Sequence, residues 1–140
     1  MKLFASAAAL ACLFSVPGLA QTQAPAQPAK YIAPVKGTAT IDVIQAPSKR
    51  VGKEMVTVLK IRNTSTGSIN LLRLDEYWYE KGKLVTTSQY AHKKAPIRPG
   101  EIIEVTLRAP VPAGTNPQQN QVLFRHAKGD AKATKVKEFK

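Results

Sequence analysis

Apolar and polar residues alternate with a period of two in a series of short runs. The richest of them fill residues 56–87, VTVLKIRNTSTGSINLLRLDEYWYEKGKLVTT. Met55, Thr57, Leu59 and Ile61 share one face of a predicted strand, with Val56, Val58, Lys60 and Arg62 on the other. Before it, Ala39, Ile41 and Val43 alternate with Thr40 and Asp42, and residues 47–52 break the pattern. After it, NTSTGS at 63–68 is a turn, because short polar side chains and glycine satisfy tight backbone geometry. Asn63-Thr64-Ser65 also matches a glycosylation triplet and is read as turn chemistry.

Residues 69–80 are the hardest to phase. Leu72 and Leu74 share a face with Glu76 and Trp78, whereas Leu71, Arg73, Asp75, Tyr77 and Tyr79 share the other. The pattern leaves open which face of the 71–79 strand is buried. Either a bulge near Asp75 and Glu76 switches the register, or the strand packs on both sides. Lys81-Gly82-Lys83 closes a hairpin into Leu84, Val85, Thr86 and Thr87. Arg98-Pro99-Gly100-Glu101 is a strong turn, and Ile103, Val105 and Leu107 follow in clean alternation with polar residues. Residues 122–127 form another strand. Lys128-Gly129-Asp130 then turns the chain into a basic last strand over 131–140. No run carries a helical period and none repeats. About seven short strands at this spacing predict an all-β domain, an immunoglobulin-like antiparallel β-sandwich over residues 38–140.

The start of the chain reads differently. Lys2 precedes an apolar run to Val16, and Gly18 and Ala20 suit signal peptidase, so residues 1–20 are expected to be a bacterial export signal. The run is too short to span a bilayer, which takes roughly 20 residues, so no transmembrane helix is expected in the mature chain. Cys12 sits in a loose match to a lipoprotein processing box that lacks its usual leucine, and simple cleavage is the preferred reading. As the only cysteine lies in the signal, the mature protein is expected to have no disulfide, thiol nucleophile or cysteine metal site. Residues 21–37, rich in proline and glutamine, are expected to be a flexible linker. The expected location is periplasmic or extracellular.

The formal charge is +12 at pH 7, and loss of Lys2 with the signal lowers it by one. Such a balance favours polyanions, including lipopolysaccharide, anionic lipid headgroups and acidic glycans, and equally serves solubility.

LKIRN at 59–63, then LLRLDEYWYEKGKLV at 71–85 and RPGEIIEVTL at 98–107, resemble exported bacterial domains of the FxLYD type. Those have a strand ending in Asn, an aromatic-rich strand, an acid-Lys-Gly hairpin and a Pro-Gly-Glu turn. Tyr77-Trp78-Tyr79 departs from the order that gives the family its name. The resemblance implies an immunoglobulin-like fold and a non-catalytic module.

The residues themselves offer little for catalysis. His92 lies in a basic segment and His126 beside Arg125, neither with an acidic neighbour or a metal-ligand spacing. Asp75, Glu76 and Glu80, next to Arg73, Lys81 and Lys83, read as a solvated hairpin. No catalytic residue, metal ligand or cofactor is expected. Trp78 is expected in the core, with Tyr77 and Tyr79 as a candidate aromatic platform on the opposite face. Lys81 and Lys83 of the hairpin, with Lys132, Lys135 and Lys137 of the last strand, are the candidate polyanion contacts. Lysines on a last strand also guard a sheet edge against aggregation. The sequence thus predicts a non-catalytic binding or structural module of the bacterial envelope, its partner an envelope protein or a polyanion.

Overall fold

A computed structural model describes residues 31–140. The expected export signal, Cys12 and residues 21–30 of the expected linker lie outside the described residues.

Eight strands follow in order: β1 (Ala39–Gln45), β2 (Lys49–Val51), β3 (Glu54–Asn63), β4 (Arg73–Glu80), β5 (Lys83–Ala91), β6 (Ile102–Pro110), β7 (Gln119–His126) and β8 (Gly129–Lys135). The domain is all-β, and among the described residues there is no helix long and apolar enough to cross a membrane. Strand β3 is the hub. It pairs along nearly its whole length with β6, so β1 and β2 share its other edge, one at each end. On the far side of β1 the sheet continues through β8, β7 and β4 to β5. The sheet curls into a half-barrel that brings β5 against β6 without pairing them.

Two features depart from the sequence pattern. Three-residue β2 raises the count above seven; its residues are all exposed, so it carries no alternation, and a turn through Gly52 (φ 60°) lays it on β3. The sheet is also mixed, because β8 runs parallel to β1 from Ala39↔Ala131 to Val43↔Lys135. Alternation states which face of a strand is buried, not which neighbour it pairs with. Strand β8 ends at Lys135, short of the expected 140.

The core fills the inside of the curl. Ile41 and Val43 of β1, Leu59 and Ile61 of β3, Leu74 of β4, and Val105 and Leu107 of β6 are at most 1% exposed. Ile69, Leu72 and Ile97, from the loops that close one end, join them. Asn63 holds that end together. Its side chain donates to the carbonyls of Gly67 and Ile97 at 2.9 Å each and accepts from the Ser65 amide at 2.8 Å. Its backbone carbonyl accepts from Gly100 at 2.7 Å. At 1% exposure it is a structural residue of two turns at once.

The end of the expected linker docks on this turn. Val35 donates to the Ser68 carbonyl at 2.8 Å, and Ser68 donates to that of Ala33 at 3.0 Å. Gly67 permits the approach, since a Cβ there would lie 2.6 Å from the Ala33 oxygen.

Candidate binding site

Strand β4 settles its own phase. Leu74, Glu76 and Trp78 point into the curl and are 0%, 0% and 3% exposed. The irregularity falls between Trp78 and Tyr79, opposite β5, and not near Asp75 and Glu76. The acidic cluster expected as a solvated hairpin is therefore largely buried, Glu76 inside the curl and Asp75, 7% exposed, on the outer face. Placing Leu74 and Trp78 inward carries Glu76 with them, because the period of a strand is two.

A buried carboxyl group is tolerated only when its oxygens are satisfied, and three strands supply the donors. Thr57 Oγ1 of β3 donates to Glu76 Oε1 at 2.7 Å, and Asn120 Nδ2 of β7 to the same oxygen at 2.9 Å. Ser88 Oγ of β5 donates to Oε2 at 2.7 Å. With the Thr57 proton so committed, Ser48 donates to Thr57 Oγ1 at 2.7 Å. One side chain thus ties β3, β5 and β7 to β4 across the curl.

Beside this network lies a groove of about 710 Å³, lined by Val43, Ser48, Met55, Trp78, Asn120 and Lys135. Met55, Ala109 and Val111 pack with Trp78 in a small separate core. Trp78 Nε1 is buried and has no hydrogen-bond partner among the described residues. A second groove, of about 550 Å³, lies farther along β7 and β8 and is lined by Tyr77, Leu123, Phe124 and Ala131 among others.

The candidate lysines do not form one surface. Lys81 and Lys83 flank the β4–β5 turn, where Lys81 (φ 49°) and Gly82 (φ 78°) are both left-handed, as a two-residue hairpin turn requires. Strand register puts that turn at the end of the sheet where β7 begins and β8 ends, which is also the end of Lys135. Lys132 lies opposite Thr40, and its position in β8 alternates with buried Ala131. Lys137 lies beyond the strand, in a surface cleft with Asp42, Arg62, Glu138 and Lys140. Lys135 and Lys137, both expected within the last strand, are separated by the end of β8.

Tyr77 and Tyr79 share the outer face of the β5–β4–β7 sheet and are half-buried. Tyr77 lies opposite Thr87 and Gln121, and Tyr79 opposite Leu84 and Gln119. On the same face Asp75 pairs with Arg125, whose pKa is raised by that hydrogen bond and then by the charge of Asp75.

The histidines are interior. His92 is 8% exposed, its Nδ1 3.2 Å from the Tyr90 hydroxyl, in what reads by sequence as a basic segment. His126 Nδ1 accepts from the Lys128 amide at 3.3 Å, which leaves Nε2 to donate to the Gly37 carbonyl at 2.6 Å. Among the described residues, no group of three or more His, Cys, Asp or Glu is placed to hold a metal ion.

Ser48, Ser88 and Asn120 were not singled out by sequence, and Thr57 was read only as a strand residue. The usable signal was Thr57, one hydroxyl on a face otherwise built of Met55, Leu59 and Ile61. Comparison with family models and with curated proteins finds no match to this chain.

Proposed function

We propose that the protein is an exported, non-catalytic binding module of the bacterial cell envelope, built as an immunoglobulin-like β-sandwich and needing no cofactor. The sandwich reading is supported by the two strand groups β6–β3–β1 and β7–β4–β5, whose apolar faces meet across one core. Export rests on the leader pattern of residues 1–20.

One observation carries the non-catalytic reading. The interior polar groups Glu76, Asn63 and His126 each spend their hydrogen bonds inside the fold, and His92 Nδ1 lies against the Tyr90 hydroxyl. General acid–base or nucleophilic chemistry needs such a group turned toward a substrate. What faces outward is grooves and lysines, which suit contact. The test is photo-crosslinking in cells from a reactive residue placed at Lys135. An adduct with an envelope component is expected, and protein confined to the cytoplasm with residues 1–20 intact overturns the reading.

The convergence of Lys81, Lys83 and Lys135 on one end of the sheet favours a second reading, contact with a polyanion. Elution from immobilised heparin across a salt series tests it. Replacing Lys81, Lys83 and Lys135 by Gln should shift elution to lower salt than the same change at Lys93, Lys94 and Lys128. Equal shifts would mean that only net charge is sensed.

A further inference from the structure

Strand β8 leaves β7 almost at once. Arg125↔Asp130 and His126↔Gly129 are their only pairs. Continued, that register would set Leu123 against Lys132, Gln121 against Thr134 and Gln119 against Val136. None of these pairs forms, and β8 follows β1 instead. The two strands therefore bound a wedge-shaped seam. In an antiparallel ladder alternate residues direct N–H and C=O to one neighbour, and the residues between them direct theirs to the other side. Over 119–124 β7 is laddered to β4 on one side only, so its other row of groups faces the seam. Over 131–135 the edge of β8 turned away from β1 does the same.

Three further features fit this seam to an extended chain. The two grooves described above lie along it, one near its closed end at Phe124 and Ala131, the other at its mouth with Lys135. Half-buried Val122 and Phe124 offer apolar contact for every second side chain of an incoming strand. Neither bounding strand contains proline. The outer edge of β5, by comparison, lies against β6. Charge selects the occupant. Lys132 and Lys135 lie on β8, and the chain's formal charge is +12. A second copy would add like charge, whereas an acidic segment is drawn in.

We propose that the β7–β8 seam takes up an extended acidic segment of a partner protein as an added strand. The open edges supply main-chain hydrogen bonds, Lys132 meets the carboxylates on the outer face of the added strand, and Lys135, three residues on and so on the other face, adds positive charge at the mouth. This rests on the reading of the protein as a binding module and names the class of partner.

The probe is a labelled decapeptide of alternating valine and glutamate, titrated by fluorescence anisotropy into the purified full chain. Its counterpart carries N-methyl groups on alternate peptide nitrogens, with the same charge but without the donors of one edge. The expected result is saturable binding that weakens by about tenfold or more on N-methylation, with slowed amide exchange over 119–124. Lys132→Gln with Lys135→Gln should weaken it further. Gln121→Cys with Thr134→Cys, oxidised to a disulfide that closes the seam, should abolish binding, and reduction should restore it. If that disulfide does not form, the paired peptides still decide the question.

Equal affinity for both peptides overturns strand addition and leaves only contact with a polyanion, which heparin elution measures separately. No binding of either peptide overturns the seam as a site, while the in-cell adduct at Lys135 independently judges the binding-module reading. Self-association that the disulfide abolishes would overturn the acidic partner in favour of a second copy. Peptide binding that emerges only after residues 1–30 are removed would overturn it in favour of the chain's own N-terminus.

Discussion

Two of the interior polar residues, Asn63 and Glu76, solve the same problem by opposite means. Both are at most 1% exposed, and both have three side-chain hydrogen bonds. Asn63 is neutral and is satisfied by backbone groups, two of them within its own turn. Glu76 bears an ionisable group and is satisfied entirely by side chains from β3, β5 and β7. A node built on backbone survives most substitutions around it, because every residue supplies an amide and a carbonyl. A node built on side chains depends on the identity of residues far apart in sequence, and fixes how the strands around the curl meet. The groove and the seam both border that second node.

The largest expected effect is at Glu76. Glu76→Ala strands the hydroxyls of Thr57 and Ser88 and the amide of Asn120 and opens a cavity, so a loss of about 4 kcal/mol is expected. For a domain of this size that lowers the melting temperature by on the order of 15–25 °C. Glu76→Gln sharpens the comparison. The amide oxygen can still accept from Thr57 and Asn120, and the amide nitrogen can donate to a Ser88 hydroxyl turned to accept. A loss of about 1 kcal/mol or less is expected by urea denaturation. A loss as large as that of Ala would mean that charge, and not hydrogen bonding, holds the node.

Asn63→Ala comes next. It removes three hydrogen bonds and leaves the Gly67 and Ile97 carbonyls to find other partners, a loss of about 3 kcal/mol. Its effect should be local. Amide exchange is expected to rise in residues 64–68 and 97–101, where the turns are stapled, and to stay slow in β4 and β7. Exchange that rose uniformly in β4 and β7 as well would erase the distinction between a local and a global node.

The sequence was informative where a residue's neighbours in sequence are also its neighbours in space. Alternation in Ala39–Gln45, Glu54–Asn63 and Ile102–Pro110 marked three strands and their inward faces. The polar turn after Asn63 and the Lys81-Gly82 hairpin were visible because turn geometry demands those residue types. Pairing was not visible. Nothing in residues 129–135 states that β8 leaves β7 for β1, since Ala131 and Ala133 can face inward beside either neighbour. Glu76 failed for a related reason. Composition beside Arg73, Lys81 and Lys83 argued for solvent, while the phase set by Leu72, Leu74 and Trp78 argued for the core, and packing of the large side chains outweighed the charge. The lysines were legible as a reserve of charge, and their distribution depended on pairing, so it was not.

A smaller effect is expected at Asn120, whose amide reaches Glu76 Oε1 from the rim of the groove. Asn120→Ala leaves that oxygen with its bond from Thr57, so the loss should be about 1–2 kcal/mol. Because Asn120 is only partly buried, water can take the vacated position and hold the cost at the lower end. The same change at Asn63 should cost at least a kilocalorie per mole more, since three bonds are lost there at once. Equal losses at the two asparagines would mean that the mouth of the groove is as closed to water as the Asn63 turn.

The smallest effect tests the cooperative character that separates the two nodes. Thr57→Val and Ser88→Ala each remove one donor to the Glu76 carboxyl group, on different oxygens and from different strands. If the carboxyl group is a shared hub, losing the first donor lets it shift toward the second, and the remaining bond changes in strength. The double variant should then differ from the sum of the singles by about 0.5–1 kcal/mol. Val replaces Thr in nearly the same volume, so the packing around position 57 is kept and the cycle reports the hydroxyl. No equivalent cycle exists at Asn63, because its partners are backbone atoms that substitution does not remove. Additivity within about 0.3 kcal/mol would show three independent bonds that happen to end on one residue, and Glu76 would then differ from Asn63 only in the source of its donors.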